Sequence, residues 1–173
     1  MLTTDRDRLR ESVDDLADRL GRNRGSLIPI LQDVKKNYSG VDSYAMQVIA
    51  DVLGIHPVEV FSVATFYAFL HPEKDGRFVF RLCRTLACEL QGKEQIASQL
   101  QTDLGLDFGQ TSADGAFTLE WAACMGMCDQ GPALLVNDKV YTRLTAESVR
   151  QIVEECRQDA AGFSTERVEE RLV

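Results

Sequence analysis

The sequence has no long hydrophobic run, a deficit of basic residues and only 2 histidines. Its longest mainly apolar stretch, Val58 to Leu70, has 13 residues and contains Glu59. It is too short and too interrupted to span a bilayer, so no direct membrane insertion is expected. The opening MLTTDRDRLRESVDD lacks the apolar centre of a signal peptide, and a cytoplasmic location is the expectation. Lys+Arg 19 against Asp+Glu 27 gives a net charge of −8. An acidic chain repels phosphate backbones, which argues against nucleic acid as a partner. No G-x-G-x-x-G or G-x-x-x-x-G-K-[ST] loop is present, so no nucleotide site is expected. No Ser/His/Asp or Cys/His catalytic set can be assembled, and the Cys-x-x-Cys of a thioredoxin-type redox pair is missing. The isolated chain should therefore have no substrate site.

What is present is an ordinary globular composition of 173 residues, 45% hydrophobic and 27% charged. Residues 1–24 read as a charged amphipathic helical extension, with Leu9, Val13, Leu16 and Leu20 in one apolar stripe that could lie on a partner. Residues 25–71 read as a bundle of three to four helices. Leu27, Ile30, Leu31 and Val34 form one apolar face; Met46, Ile49, Ala50 and Leu53 form another, stopped by Gly54. Pro57 opens a short helix to about Ser62, and ATFYAFL after it fits helix or strand. Tyr67, Phe69 and Leu70 suggest a partner-docking surface, whereas Phe61 and Phe66 suit the bundle core.

After the turn-rich HPEKDG the period changes to two. RFVFRLC, 77–83, places Phe78, Phe80 and Leu82 on one face of a strand. Gln91 to Leu104 fits a helix and FTLEW, 117–121, a second strand. Asn137-Asp138 fits a hairpin turn, and Thr145 can cap a last helix ending near Gly162. The order β-α-β-β-α over 77–162 suggests an α/β or α+β sandwich, followed by an acidic tail, 163–173.

The cysteines carry the chemistry. Cys83-x4-Cys88 and Cys124-x3-Cys128 are two close pairs with 35 residues between them, each at the end of a predicted strand. Two such pairs suit a shared metal centre, and four thiolates fit either tetrahedral Zn²⁺ or a [2Fe–2S] cluster. Spacing favours the cluster without separating it from a zinc-stapled structural adaptor. Gly126 between two ligands lets backbone approach sulfur. Arg84 could stabilise a reduced cluster or be a solvated charge; Trp121 could pack over the cluster or be core. His56 and His71 read as helix-boundary or surface residues, and Cys156 as a buried free thiol.

FTLEWAACMGMCDQGP, Phe117 to Pro132, together with Cys83-Arg84-Thr85-Leu86-Ala87-Cys88 and Val63-Ala64-Thr65-Phe66-Tyr67, resembles the 24-kDa subunit family of NADH dehydrogenase (complex I). The same family includes the diaphorase subunits of NAD-linked hydrogenases and formate dehydrogenases, among them electron-bifurcating ones. The resemblance covers about residues 25–160 and departs from the family at Thr85-Leu86-Ala87, where Gly-Thr-Ala is frequent. It implies an N-terminal helical domain and a thioredoxin-like α/β domain, α+β overall. It implies one [2Fe–2S] cluster held by Cys83, Cys88, Cys124 and Cys128. FMN and NAD are then expected in a partner flavoprotein, with further iron–sulfur subunits in the complex. The DQGP exit favours the soluble hydrogenase, formate dehydrogenase or bifurcating type, with the respiratory NADH:quinone oxidoreductase as the alternative.

Overall fold

The computed structural model describes residues 5–38 and 40–170, with side chains described as far as Ala160. It divides into two compact units, Met1–Lys74 and Asp75–Val173.

The first unit is built from α1 (Asp5–Leu20), α2 (Leu27–Tyr38), α3 (Ser43–Leu53) and α4 (Pro57–Phe66), followed by a 3-10 turn at Ala68–Leu70. Local chemistry sets the boundaries. The Asp42 carboxylate accepts from the Ala45 N–H at 2.8 Å and caps α3, and Gly54 at φ 66° ends it. Pro57 opens α4, where the Glu59 carboxylate accepts from the His56 N–H at 3.3 Å. Ile30, Leu31, Val34, Val48, Ile49, Val60 and Ala64 make the core. Lys35 is buried beneath the turn that follows, its Nζ donating to the His71 carbonyl at 2.8 Å and the Glu73 carbonyl at 2.6 Å.

Three expectations are corrected here. Most of the α1 stripe is covered by the chain itself: Leu9 and Val13 bury, with Ala17, in the same core as α2–α4 and Leu16 packs against it, while Leu20 stays exposed. The helix opened by Pro57 continues to Phe66, because its inner face of Val60 and Ala64 extends the core past Ser62. Leu70 is buried in that core, whereas Phe61 and Phe66 stand in solvent, Phe66 at 80% exposure. The exposed large apolar side chains of this segment are thus Val58, Phe61, Phe66, Tyr67 and Phe69.

The second unit contains, in order, β1 (Phe78–Cys83), α5 (Leu86–Glu89), α6 (Lys93–Leu104), β2 (Gln110–Thr111), β3 (Phe117–Ala122), β4 (Leu134–Val136), β5 (Lys139–Tyr141) and α7 (Ala146–Glu170). The sheet order is β2-β3-β1-β4-β5. β1 and β3 are parallel, joined by a helical crossover, and the other neighbours are antiparallel. Phe80, Leu82, Leu119 and Leu134 of the sheet pack with Ile96 and Leu100 of α6 and with Val149 and Val153 of α7. Gly76 enters β1 where a Cβ would come within 2.6 Å of the Phe117 carbonyl carbon, so only glycine fits.

Here too the structure departs from the periodicity. β1 is central, so its second face is buried as well, including Val79 and Arg81. The helix predicted from Gln91 begins at Lys93, because Gly92 at φ 92° breaks the backbone after the short α5. β2, two residues long, is too short to show a period. Asn137-Asp138 does form the β4–β5 turn, with Asn137 at φ 52°. Thr145 Oγ1 accepts from the Ser148 N–H at 3.2 Å at the start of α7. That helix passes Gly162 and runs to Glu170, since one glycine costs only about 1 kcal/mol among good helix formers. The acidic tail of 163–173 is thus backbone helix to Glu170, and 171–173 lie outside the described residues.

With α1 part of the core, Leu9→Ala should cost the isolated chain roughly 2 kcal/mol or more, comparable to Ile30→Ala. Urea unfolding of the pure chain measures this; an unchanged midpoint would mean α1 adds nothing without a partner.

Candidate metal centre

β1 delivers Cys83 at its last residue, 2% exposed, with its N–H donating to the Ala133 carbonyl at 3.0 Å. The next N–H, of Arg84, donates to the Ala122 carbonyl at 3.0 Å, so the chain leaves the sheet pinned on both sides. It then turns into α5, whose single turn buries Cys88 to 1% exposure. Cys88 therefore lies in a helix and not in the predicted loop. Cys83 Sγ is 3.2 Å from Thr85 Oγ1.

The second pair follows β3. Cys124 and Cys128 are exposed, their sulfurs 3.3 Å apart. Between them Gly126 adopts φ 84° and its N–H donates to Cys124 Sγ at 3.4 Å. A left-handed residue is needed there to turn the N–H inward, which glycine does without strain. Cys83, Cys88 and Ala133 form a small buried cluster against which Met125 and Met127 of the second loop pack. The two loops thus meet over the buried pair.

Gln91, which belongs to no sequence motif, joins them. Its Nε2 donates to the Ala87 carbonyl at 2.8 Å and to the Cys128 carbonyl at 2.9 Å. Gly131 makes room, since a Cβ there would sit 2.9 Å from Gln91 Nε2. Nothing in cysteine spacing marks Gln91. Its only signal in the sequence is its place at the head of the helical segment after Cys88.

The thiols influence one another. Burial opposes ionisation of Cys83, but hydrogen bonds from Thr85, from Cys88 and from the Met125 backbone outweigh it and lower its pKa. Cys88 is raised by burial and by Cys83. Cys128 is raised by its hydrogen bond and charge interaction with Cys124, with smaller contributions from Cys83 and Cys88. All five cysteines are free thiols. The four thiols come as two pairs, Cys124 and Cys128 with sulfurs 3.3 Å apart and Cys83 hydrogen-bonded to Cys88, which supplies one pair to each metal of a dinuclear centre.

The remaining candidates stand apart. Arg84 is exposed, a solvated charge. Trp121 stacks on Phe108 at 3.7 Å with Lys93 Nζ 5.2 Å from its ring centroid. His56 precedes α4, and His71 receives Lys35 through its carbonyl. Cys156 is a buried residue of α7, where burial first and the charges of Asp159 and Glu155 next push its thiol from 9.0 up to about 11.

Among the described residues no single helix is long and apolar enough to cross a membrane. The profile of the thioredoxin-like [2Fe-2S] ferredoxin family matches residues 13–157. A subunit of the NADH-quinone oxidoreductase of Rhizobium meliloti (strain 1021) is 33% identical over 159 residues, 92% of this chain and 95% of that protein. A subunit of the NADH-quinone oxidoreductase of Escherichia coli (strain K12) is 37% identical over 131 residues, 76% of this chain and 79% of that one. Among solved structures, an NAD+-reducing [NiFe]-hydrogenase in the air-oxidized state shares the fold at TM-score 0.72 and 23% identity. The likeness covers 80% of this chain and 24% of that one, so this chain spans about a quarter of the hydrogenase chain.

Gln91→Ala should leave the metal-free chain folded but speed loss of any bound metal, measured as release to a chelator. Cys156 has a raised folded pKa, so its contribution to stability is complete below about 9 and is lost as pH rises through about 11. Cys156→Ala should flatten that alkaline decline in a pH series of thermal melts while leaving metal content unchanged.

Proposed function

The chain belongs to the thioredoxin-like [2Fe-2S] ferredoxin family, and we propose that it carries single electrons within an NADH-linked flavoprotein complex. The observation that supports this reading is the convergence of two thiol pairs, one buried and one exposed, at the ends of β1 and β3. The cofactor is one [2Fe–2S] cluster, and its donors are Cys83 and Cys88 from one loop and Cys124 and Cys128 from the other. Two soft thiolates per iron fit that cluster in number and kind. When bound, the cluster supplies a one-electron carrier.

The chain's own residues do the rest. Ala133, Met125 and Met127 shield the Cys83–Cys88 side from water. The Gly126 N–H directed at Cys124 Sγ supports negative charge on sulfur. The exposed Cys124–Cys128 side leaves a short path to the surface. Since a nicotinamide delivers hydride, a flavin must divide it into single electrons before they reach this chain. FMN and NAD(H) thus belong to a partner, accompanied by further iron–sulfur subunits, and the assembly works in the cytoplasm.

The partner meets the second unit beside the thiols. Leu86 and Leu90, one helical turn apart, are 69% and 80% exposed and flank Cys88. Large apolar groups in water beside a redox centre suit a docking face. The exposed Val58, Phe61, Phe66, Tyr67 and Phe69 give residues 25–71 a second docking role. Relatives at 33% and 37% identity belong to NADH-quinone oxidoreductases, which favours the respiratory form over the soluble hydrogenase, formate dehydrogenase or bifurcating type. The hydrogenase likeness is one of fold.

The purified chain should be brown and hold about two iron atoms, whereas a zinc protein would be colourless. Each of Cys83→Ser, Cys88→Ser, Cys124→Ser and Cys128→Ser should bleach or destabilise the colour. Loss of iron on Cys156→Ala would overturn the ligand assignment. The pure chain should reduce no dye with NADH. Leu86→Glu with Leu90→Glu should keep the colour and lose co-purification with the flavoprotein; retained co-purification would remove that face as the dock.

A further inference from the structure

Side chains alternate along β1, so Arg81 and Cys83 leave the same face of the sheet, their Cα atoms about 6.6 Å apart. That is the face opposite Phe80 and Leu82. Arg81 is 8% exposed. Its partner in register on β3 is Glu120, as Ala122 is that of Cys83. Arg81 Nε lies 2.9 Å from Glu120 Oε2, and its NH2 nitrogen is 3.6 Å from Asp75 Oδ2. The Cα of Arg81 is therefore one pleat from that of Cys83, while its guanidinium is held by Glu120 and Asp75.

Its presence is not explained by stability. Two well-packed apolar side chains at a buried cross-strand position are as stable as an ion pair or more so, because desolvating the charges offsets their attraction. Position distinguishes Arg81 from Arg84. Arg84 is exposed, so water and salt screen its field; Arg81 acts through a poorly screened interior.

We infer that the charges of Arg81 and Glu120 bias the reduction potential of the centre at Cys83, Cys88, Cys124 and Cys128 in opposite directions, Arg81 favouring the reduced form and Glu120 opposing it, so that the intact pair nearly cancels. The inference rests on the [2Fe–2S] reading above. The step it acts on is the gain of one electron from a reductant, with no bond made or broken, which adds one negative charge beside the four thiolates.

The test is a mediated redox titration of the full-length, cluster-loaded chain, followed by visible absorption and electron paramagnetic resonance, with dithionite as reductant. Arg81→Gln should lower the midpoint and Glu120→Gln should raise it. Arg81→Lys, which keeps the charge, should stay near the wild type, and so should the double variant Arg81→Gln/Glu120→Gln. A residue that only holds the strand in place would move both single variants in one direction or neither, and either result overturns the inference. Should Arg81→Gln fail to hold the cluster, Glu120→Gln decides alone: an upward shift supports the inference, no shift or a downward one ends it. A wild-type chain without the cluster's absorption would instead overturn the proposed function.

Discussion

Two cysteine pairs 35 residues apart meet because β1 and β3 run parallel and end level with one another. The register places Cys83 opposite Ala122, so Cys124 is two residues beyond the strand end on the neighbouring chain segment. A crossover that includes α6 connects the two parallel strands. It leaves both following loops on one edge of the sheet. Were the pair antiparallel, the loops would emerge at opposite edges and the thiols could not share a centre. The site thus depends on sheet pairing first and on loop chemistry second.

Loop chemistry then makes the site unequal. Cys83 and Cys88 are fixed by strand and helix and are covered by Ala133, Met125 and Met127. Cys124 and Cys128 rest on a loop in which glycine turns an N–H toward sulfur. Gln91 ties that loop to α5 with two hydrogen bonds from one nitrogen. An electron carrier benefits from this inequality. Burial on one side would hold a metal bound there away from water, and exposure on the other would keep the distance to a partner short.

The cysteine pairs, the hairpin at Asn137-Asp138 and the helical first half were legible in the sequence because each depends on local pattern. Periodicity also located the faces of α2 and α3. It failed where tertiary context decides. Phe61 and Phe66 have the composition of core residues, yet the narrow inner face of α4 is filled by Val60 and Ala64. The α1 stripe could not reveal whether its cover was another chain or this one. Gln91 bears no motif, since its role is a bond to a carbonyl 37 positions away. Arg81 was hidden for a similar reason: alternation marks Phe80 and Leu82 as the core face, and only pairing with Glu120 shows that the opposite face is buried too.

β1 therefore carries two tasks on its two faces. Phe80 and Leu82 lie under α6 and α7 in the main core of the unit, where their contribution is burial of apolar area. Arg81 and Cys83 lie on the other face, where one is held by carboxylates and the other enters the thiol cluster. A strand rises only about 3.3 Å per residue, so these tasks are separated by pleat and not by distance. Volume changes at Phe80 and Leu82 act on folding of the whole unit, while charge changes at 81 act on the other face without touching that core. This separation lets the electrostatics beside the thiols vary while the packing that aligns the two loops stays constant.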